Sequence, residues 1–91
     1  MAFTIDDLAI VDSVLAKIES GHRVTFDEVS EVCFSARKHV RRGREGLYKV
    51  FGQTKAGRYL LVVIAQHPDS WYVVTARDMT ESERRSYRAV L

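Results

Sequence analysis

Cysteine is nearly absent from this chain: Cys33 stands alone. One thiol cannot close an internal disulfide, and a thiol-poor chain fits a reducing compartment, so a cytoplasmic protein is expected. Cys33 follows Val29 and Val32 on a helical stripe, which makes it a small buried hydrophobe rather than a nucleophile. Proline occurs once, at Pro68, and there is no linker, internal repeat or low-complexity tract. Long hydrophobic runs are missing too. The longest lies in Arg58–Ala65, far short of the roughly 20 apolar residues a membrane-spanning helix needs. Met1-Ala2-Phe3 shows no basic segment followed by an apolar one, so no signal peptide is expected. His22, His39 and His67 are far apart, and neither Cys-x-x-Cys nor His-x-x-x-His occurs, so no metal or other cofactor is expected. No glycine-rich phosphate loop of Walker or dinucleotide type is present. No Ser/His/Asp arrangement can be argued from the spacing.

What is present suits one small domain covering 1–91. The chain is 46% hydrophobic and 29% charged, too apolar to stay disordered and long enough to bury one core. The net charge of +2 hides an uneven distribution. Residues 1–36 carry two basic side chains, Lys17 and Arg23, against seven acids, and residues 37–91 carry twelve against five. Between 37 and 58 there are eight basic residues and one acid, Glu45. Such asymmetry points to a surface for a polyanion, or to the charged edges that keep sheets from pairing with one another.

Three stretches match the spacing of a capping box: Thr4-Ile-Asp-Asp7, Thr25-Phe-Asp-Glu28 and Thr80-Glu-Ser-Glu83. The first predicts a helix from Ile5 to about Ser20, with Leu8, Val11, Leu15 and Ile18 on one stripe and Gly21 as its stop. The second predicts a helix from Phe26 that ends between Cys33 and Ala36. The third predicts a closing helix from Glu81. Between them the period changes to two. Arg37–Arg42 is expected as a weak edge strand, Leu47–Gln53 as the next, Thr54–Gly57 as a hairpin loop and Arg58–Ala65 as a central strand. Trp71–Ala76 follows a turn at Gln66–Ser70. The order predicts an α+β fold: one small antiparallel sheet of three or four strands, with two N-terminal helices and one C-terminal helix. The helices are expected mainly on one face, leaving the other partly open.

Arginines and aromatics interleave along the strand region. Arg41, Arg42, Arg44, Lys49, Arg58 and Arg77 fall at strand ends or turns, with Tyr48, Tyr59, Trp71 and Tyr72 among them. Arginine binds phosphate through paired planar donors, and aromatic faces stack on unpaired bases. Solvated arginines beside core aromatics are the alternative reading. For Arg77 the structural alternative is an ion pair with Asp78 or Glu83.

Two blocks carry a resemblance. They are Gly52-Gln-Thr-Lys-Ala-Gly-Arg-Tyr-Leu-Leu-Val-Val-Ile64 and Trp71-Tyr-Val-Val-Thr-Ala-Arg-Asp-Met-Thr-Glu-Ser-Glu-Arg-Arg-Ser-Tyr-Arg88. With the helix at Val24–Val32 they resemble the BrnT-like toxins of bacterial type II toxin–antitoxin systems, in the RelE/ParE superfamily. The resemblance covers roughly residues 22–88. It implies a RelE-like fold and a metal-independent endoribonuclease that arrests growth by cleaving RNA. It also implies a cognate antitoxin protein as partner, and a homodimer or toxin–antitoxin heteromer. Such nucleases let the 2′-hydroxyl attack the adjacent phosphate, which takes a base, a proton donor and cations. Arg58 and Arg77 match family positions for charge stabilisation, and Lys49 is a third candidate. His67 is the candidate for proton transfer, since imidazole exchanges protons near neutral pH. Arg41, Arg42, Arg44, Tyr48 and Tyr87 are candidates for RNA binding. Arg58 is expected to face one phosphate groove with Lys49 and Arg77, so that Arg58→Ala spares the fold. The family begins with a short strand bearing a Trp-Asp pair, whereas this chain is expected to enter a longer helix directly at Thr4. The alternative is a non-enzymatic member of the fold that binds a protein target, as ParE-like members bind gyrase, or that binds RNA.

Overall fold

The apolar stretch becomes the middle strand of a five-stranded sheet, Tyr59–Gln66. In the computed structural model, which describes residues 5–91, the elements follow in order. They are β1 (Leu8–Ala9), α1 (Asp12–His22), α2 (Phe26–Cys33), β2 (His39–Arg42), β3 (Leu47–Gln53), β4 (Tyr59–Gln66), β5 (Trp71–Asp78) and α3 (Glu81–Ala89). Across the sheet the order is β1-β5-β4-β3-β2. β2 to β5 pair antiparallel, and β1 runs parallel to β5 through Leu8–Trp71 and Ala9–Tyr72. The fold class is therefore α+β as expected, with five strands and a mixed sheet in place of three or four antiparallel strands.

The N-terminal segment departs most from the expectation. Leu8 and Ala9 are strand, and the first helix begins only at Asp12, with Val11 as a cap that offers no side-chain bond. The cap expected at Thr4 lies outside the described residues. The stripe of Leu8, Val11, Leu15 and Ile18 fits a helix, but β5 presents an unpaired edge that captures the backbone first. Trp71 N–H donates to the Asp7 carbonyl at 3.1 Å, and Leu8 N–H to Asp7 Oδ1 at 3.0 Å. Ile5 is buried, and Leu8 and Ile10 pack on the core. At its other end α1 runs past Gly21 and stops at Arg23, which adopts φ 54°, ψ 41°. Arg23 N–H bonds Glu19 and Val24 N–H bonds Ile18, and Val24 seals the turn from inside.

The other two capping boxes form in full. Thr25 and Glu28 exchange bonds at the start of α2, and Thr80 and Glu83 do so at α3. α2 ends at Cys33, inside the range the sequence allowed. Cys33 is fully buried, and burial pushes its thiol up to about 12, against the pull of Lys38.

Alternation along the strands sorts the two faces. Val50, Leu60, Val62, Ile64, Val73 and Ala76 meet Ile18, Val29 and Val32 of α1 and α2. Phe51 and Leu61 point the other way and meet Tyr87 of α3, with Tyr59 and Val63 beside them. The helices, expected mainly on one face with the other partly open, divide between the two: α1 and α2 on one, α3 on the other. α3 covers only part of its side. A bulge between Val63 and Ile64 shifts the β4–β5 register, so that Thr75 and Arg77 keep to the α3 face while Val73 and Trp71 return to the other.

Candidate nucleic-acid interface

The α3 face of the sheet is where cations gather. The β2–β3 register sets Arg41 opposite Lys49 and His39 opposite Phe51. Directly opposed residues put their side chains on one face, with Cα atoms about 5 Å apart. Arg41 and Lys49 are both exposed, so water and their flexible stems temper the repulsion between them, and neither has a carboxylate partner among the described residues. A shallow groove beside them is lined by Arg42, Arg44, Leu47, Lys49 and Val63. A cleft of about 170 Å³ opens between β2, β3 and α3, lined by His39, Arg41, Phe51, Ser82, Glu83, Ser86 and Tyr87. The two depressions meet at the Arg41–Lys49 pair. An anion seated there would relieve the repulsion through charge-assisted hydrogen bonds.

Arg77 comes from the other side of this face. Its guanidinium donates to both oxygens of Glu83, at 2.8 and 3.0 Å, and to the Asp78 carbonyl at 2.9 Å. This is the Glu83 ion pair held open as the structural alternative. Arg77 and the Thr80 bonds hold the Glu83 carboxyl down at about 2, the Arg77 hydrogen bond being the larger cause. Glu83 carries its charge at the cleft wall, and Arg77 balances it.

Arg58 does not share this groove. It sits on the α1–α2 side and all five guanidinium N–H groups are engaged. Nε and Nη2 hold the two oxygens of Asp78 at 2.7 and 3.1 Å. Nη1 donates to the Arg23 carbonyl at 2.7 Å and to Glu28 at 3.2 Å, and Nη2 to the His22 carbonyl at 2.9 Å. The residue joins the end of α1, the start of α2 and the end of β5 to the start of β4. The expected common groove with Lys49 and Arg77 is thereby corrected. Strand alternation puts position 58 on the face of Leu60 and Val62, and positions 49 and 77 on the other.

The remaining candidates scatter. His67 is exposed in the β4–β5 turn with its ring against Tyr72, centroids 4.6 Å apart. Arg77 opposes Leu61, six residues back along β4, so His67 and Arg77 lie roughly 20 Å apart along the strands and cannot serve one phosphate. Tyr48 lies on the helix face, edge-on to Trp71 at 5.2 Å, with Arg42 over its ring at 5.9 Å. Tyr87, on α3, is buried against the sheet, and its hydroxyl donates to the Arg37 carbonyl at 3.0 Å. Burial raises its phenol pKa. Of the candidates, the fold thus brings together Arg41, Arg44 and Lys49, while Arg42 borders their groove but turns its guanidinium to Tyr48 on the other face.

Three residues of the cleft were missed by sequence reasoning: His39, Ser82 and Ser86. His39 had a legible signal, because it stands two positions before Arg41 in a segment that reads as strand. Ser82 and Ser86 had none, since a helix of unknown docking does not tell which flank meets the sheet. Among the described residues no helix is long and apolar enough to cross a membrane. No protein-family model matches the chain, and a search of curated proteins finds no similar sequence.

Proposed function

We propose that this chain is an RNA-binding toxin with a RelE-like fold, of the BrnT-like kind, and that it cleaves RNA without a metal. The observation that carries the reading is the opposed Arg41–Lys49 pair, exposed and unbalanced on a half-open sheet face. Strand pairing displays these two cations side by side, an arrangement that favours an anion, and a phosphodiester supplies one in a form that a strand-shaped groove accommodates. The element order supports the same reading. A short strand does precede the first helix, although Leu8-Ala9 replaces the Trp-Asp pair expected of the family. In this reading Arg41 and Lys49 bear on the phosphoryl oxygens, Arg44 on the flanking backbone, and Arg77 acts indirectly by fixing Glu83 and α3. A cognate antitoxin would neutralise the toxin in a heteromer, and the natural surface to cover is this cationic face.

The test is incubation of purified protein with single-stranded RNA in the presence of EDTA. Cleavage leaving 2′,3′-cyclic phosphate ends is expected, and the double variant Arg41→Ala/Lys49→Ala should lose at least ~100-fold in rate, a typical loss for removed charge stabilisation. Gyrase assayed in parallel separates the other reading. Intact RNA with blocked supercoiling would make the chain a protein-targeting member of the fold.

A further inference from the structure

Three histidines are available, and their surroundings differ. His22 ends α1 on the helix side of the sheet, where its carbonyl accepts from Arg58. His67 sits in a turn against Tyr72, far from the cation pair. His39 alone lies beside it. It is half-buried in the first position of β2, its ring tilted against Phe51 at a centroid distance of 6.4 Å. It lines the cleft together with Arg41, and the opposite wall carries the hydroxyls of Ser82 and Ser86. No other described side chain in that cleft is free to accept a proton. The oxygens of Glu83 already accept from Arg77 and from the Thr80 N–H, and that carboxyl is held near 2. The Tyr87 hydroxyl is committed to the Arg37 carbonyl.

We propose that His39 is the catalytic base of this site, taking the proton of the ribose 2′-hydroxyl in RNA bound across the cleft; the proposal rests on the ribonuclease reading above. An imidazole nitrogen of His39 accepts that proton. The 2′-oxygen then bonds to phosphorus, and the bond from phosphorus to the 5′-oxygen breaks, its electron pair leaving with the oxygen. Arg41 and Lys49 bear the charge that builds on the two non-bridging oxygens. Water protonates the departing 5′-oxygen, and the imidazolium proton neutralises the hydroxide that remains. The products are a 2′,3′-cyclic phosphate and a 5′-hydroxyl, and no oxidant, reductant or metal enters the balance. Ser82 and Ser86 are placed to hold the ribose or phosphate edge, and Phe51 braces the ring from the floor of the cleft.

The experiment uses the full chain with single-stranded RNA, reading cleavage and, with an all-2′-deoxy strand that cannot react, binding. His39→Ala is expected to bind the deoxy strand within about twofold of the wild type. It should cleave RNA at least ~100-fold more slowly, as loss of a general base does, and recover activity when free imidazole is added. His39→Gln keeps the volume of the ring and serves where the alanine variant is unstable; it should be equally slow and gain nothing from imidazole. Cleavage by either variant within about threefold of wild type overturns the assignment while leaving the ribonuclease reading intact. Loss of binding in step with cleavage also overturns it, making His39 a structural residue of the cleft. A wild-type chain that cleaves no RNA overturns both.

Discussion

At the scale of single residues, two arginines expected to meet substrate turn out to hold the molecule together. Arg58 spends every guanidinium N–H on two carboxylates and two helix-end carbonyls. Its side chain is 27% exposed, so screening tempers each ion pair, but the carbonyls of His22 and Arg23 have no other cap described. Arg58→Ala is therefore expected to cost about 2 kcal/mol in urea unfolding, with Arg58→Lys recovering less than half because an ammonium cannot reproduce the fork. If the chain cleaves RNA as proposed, the folded variant should do so at the wild-type rate. The Arg77–Glu83 pair makes a second residue-scale prediction. The folded chain holds the Glu83 carboxyl at about 2, below the ordinary value of 4.5. On acidification the unfolded chain therefore takes up the proton first. The stability this group contributes is complete above about pH 4.5 and is lost as pH falls through about 2. Glu83→Gln should lower stability at neutral pH and flatten the acid limb of the stability–pH curve, measured by chemical unfolding at several pH values. Asp78, held low chiefly by its Arg58 hydrogen bond, contributes in the same direction and steepens the wild-type limb.

At the scale of elements, closeness rather than pattern decides how helices sit. α2 presses on β3 at Gly52, where an added Cβ would stand 2.9 Å from Val32 Cγ1. Both partners belong to packed elements, and neither is the free end of a flexible chain. Gly52→Ala should destabilise by about 1–3 kcal/mol, and Val32→Ala in the same chain should return part of that loss. Thermal unfolding of the four proteins in the cycle measures the coupling. The first strand shows the same rule from the other side. Leu8 and Ala9 lie in a stretch with helical spacing, but pairing with the edge of β5 satisfies backbone groups that a helix end would leave open. Only from Asp12 onward does the helical stripe prevail.

At the scale of the whole molecule, the sheet divides two charge environments. α1 and α2 carry Asp12, Glu19, Asp27, Glu28 and Glu31 on one side, while Arg41 and Lys49 open on the other. α3 adds Arg84 and Arg88, both over the Tyr59 ring at 5.2 and 5.8 Å. A polyanion should therefore approach from the α3 side alone. The salt dependence of RNA affinity checks this. The double variant Arg41→Ala/Lys49→Ala is expected to reduce the slope of log affinity against log salt by about 0.7, the single-strand value for the one phosphate they share. Asp27→Ala and Glu31→Ala, on the far side, should leave the slope unchanged.

Local chemistry alone determined much of this protein. The β-branched run between turn signals made the middle strand, because such residues fill a surface buried on both faces. Thr25 and Thr80, each with a glutamate three residues on, set two helix starts, because a cap needs only its own first turn. The alternation in Leu47–Gln53 put Lys49 and Phe51 on one face and Val50 on the other, because a strand has period two. What a guanidinium touches was only partly legible in this way. The Arg77–Glu83 pair was within reach because it spans only six positions, but Arg58 finds Glu28 thirty residues back and Asp78 twenty residues on, and Arg41 comes to face a lysine only through strand pairing. His39 became a cleft residue only when α3 docked over Phe51, and Leu8 became strand only because β5 arrived with a free edge. Those outcomes depend on residues far apart in the chain being brought together, which tertiary structure alone decides.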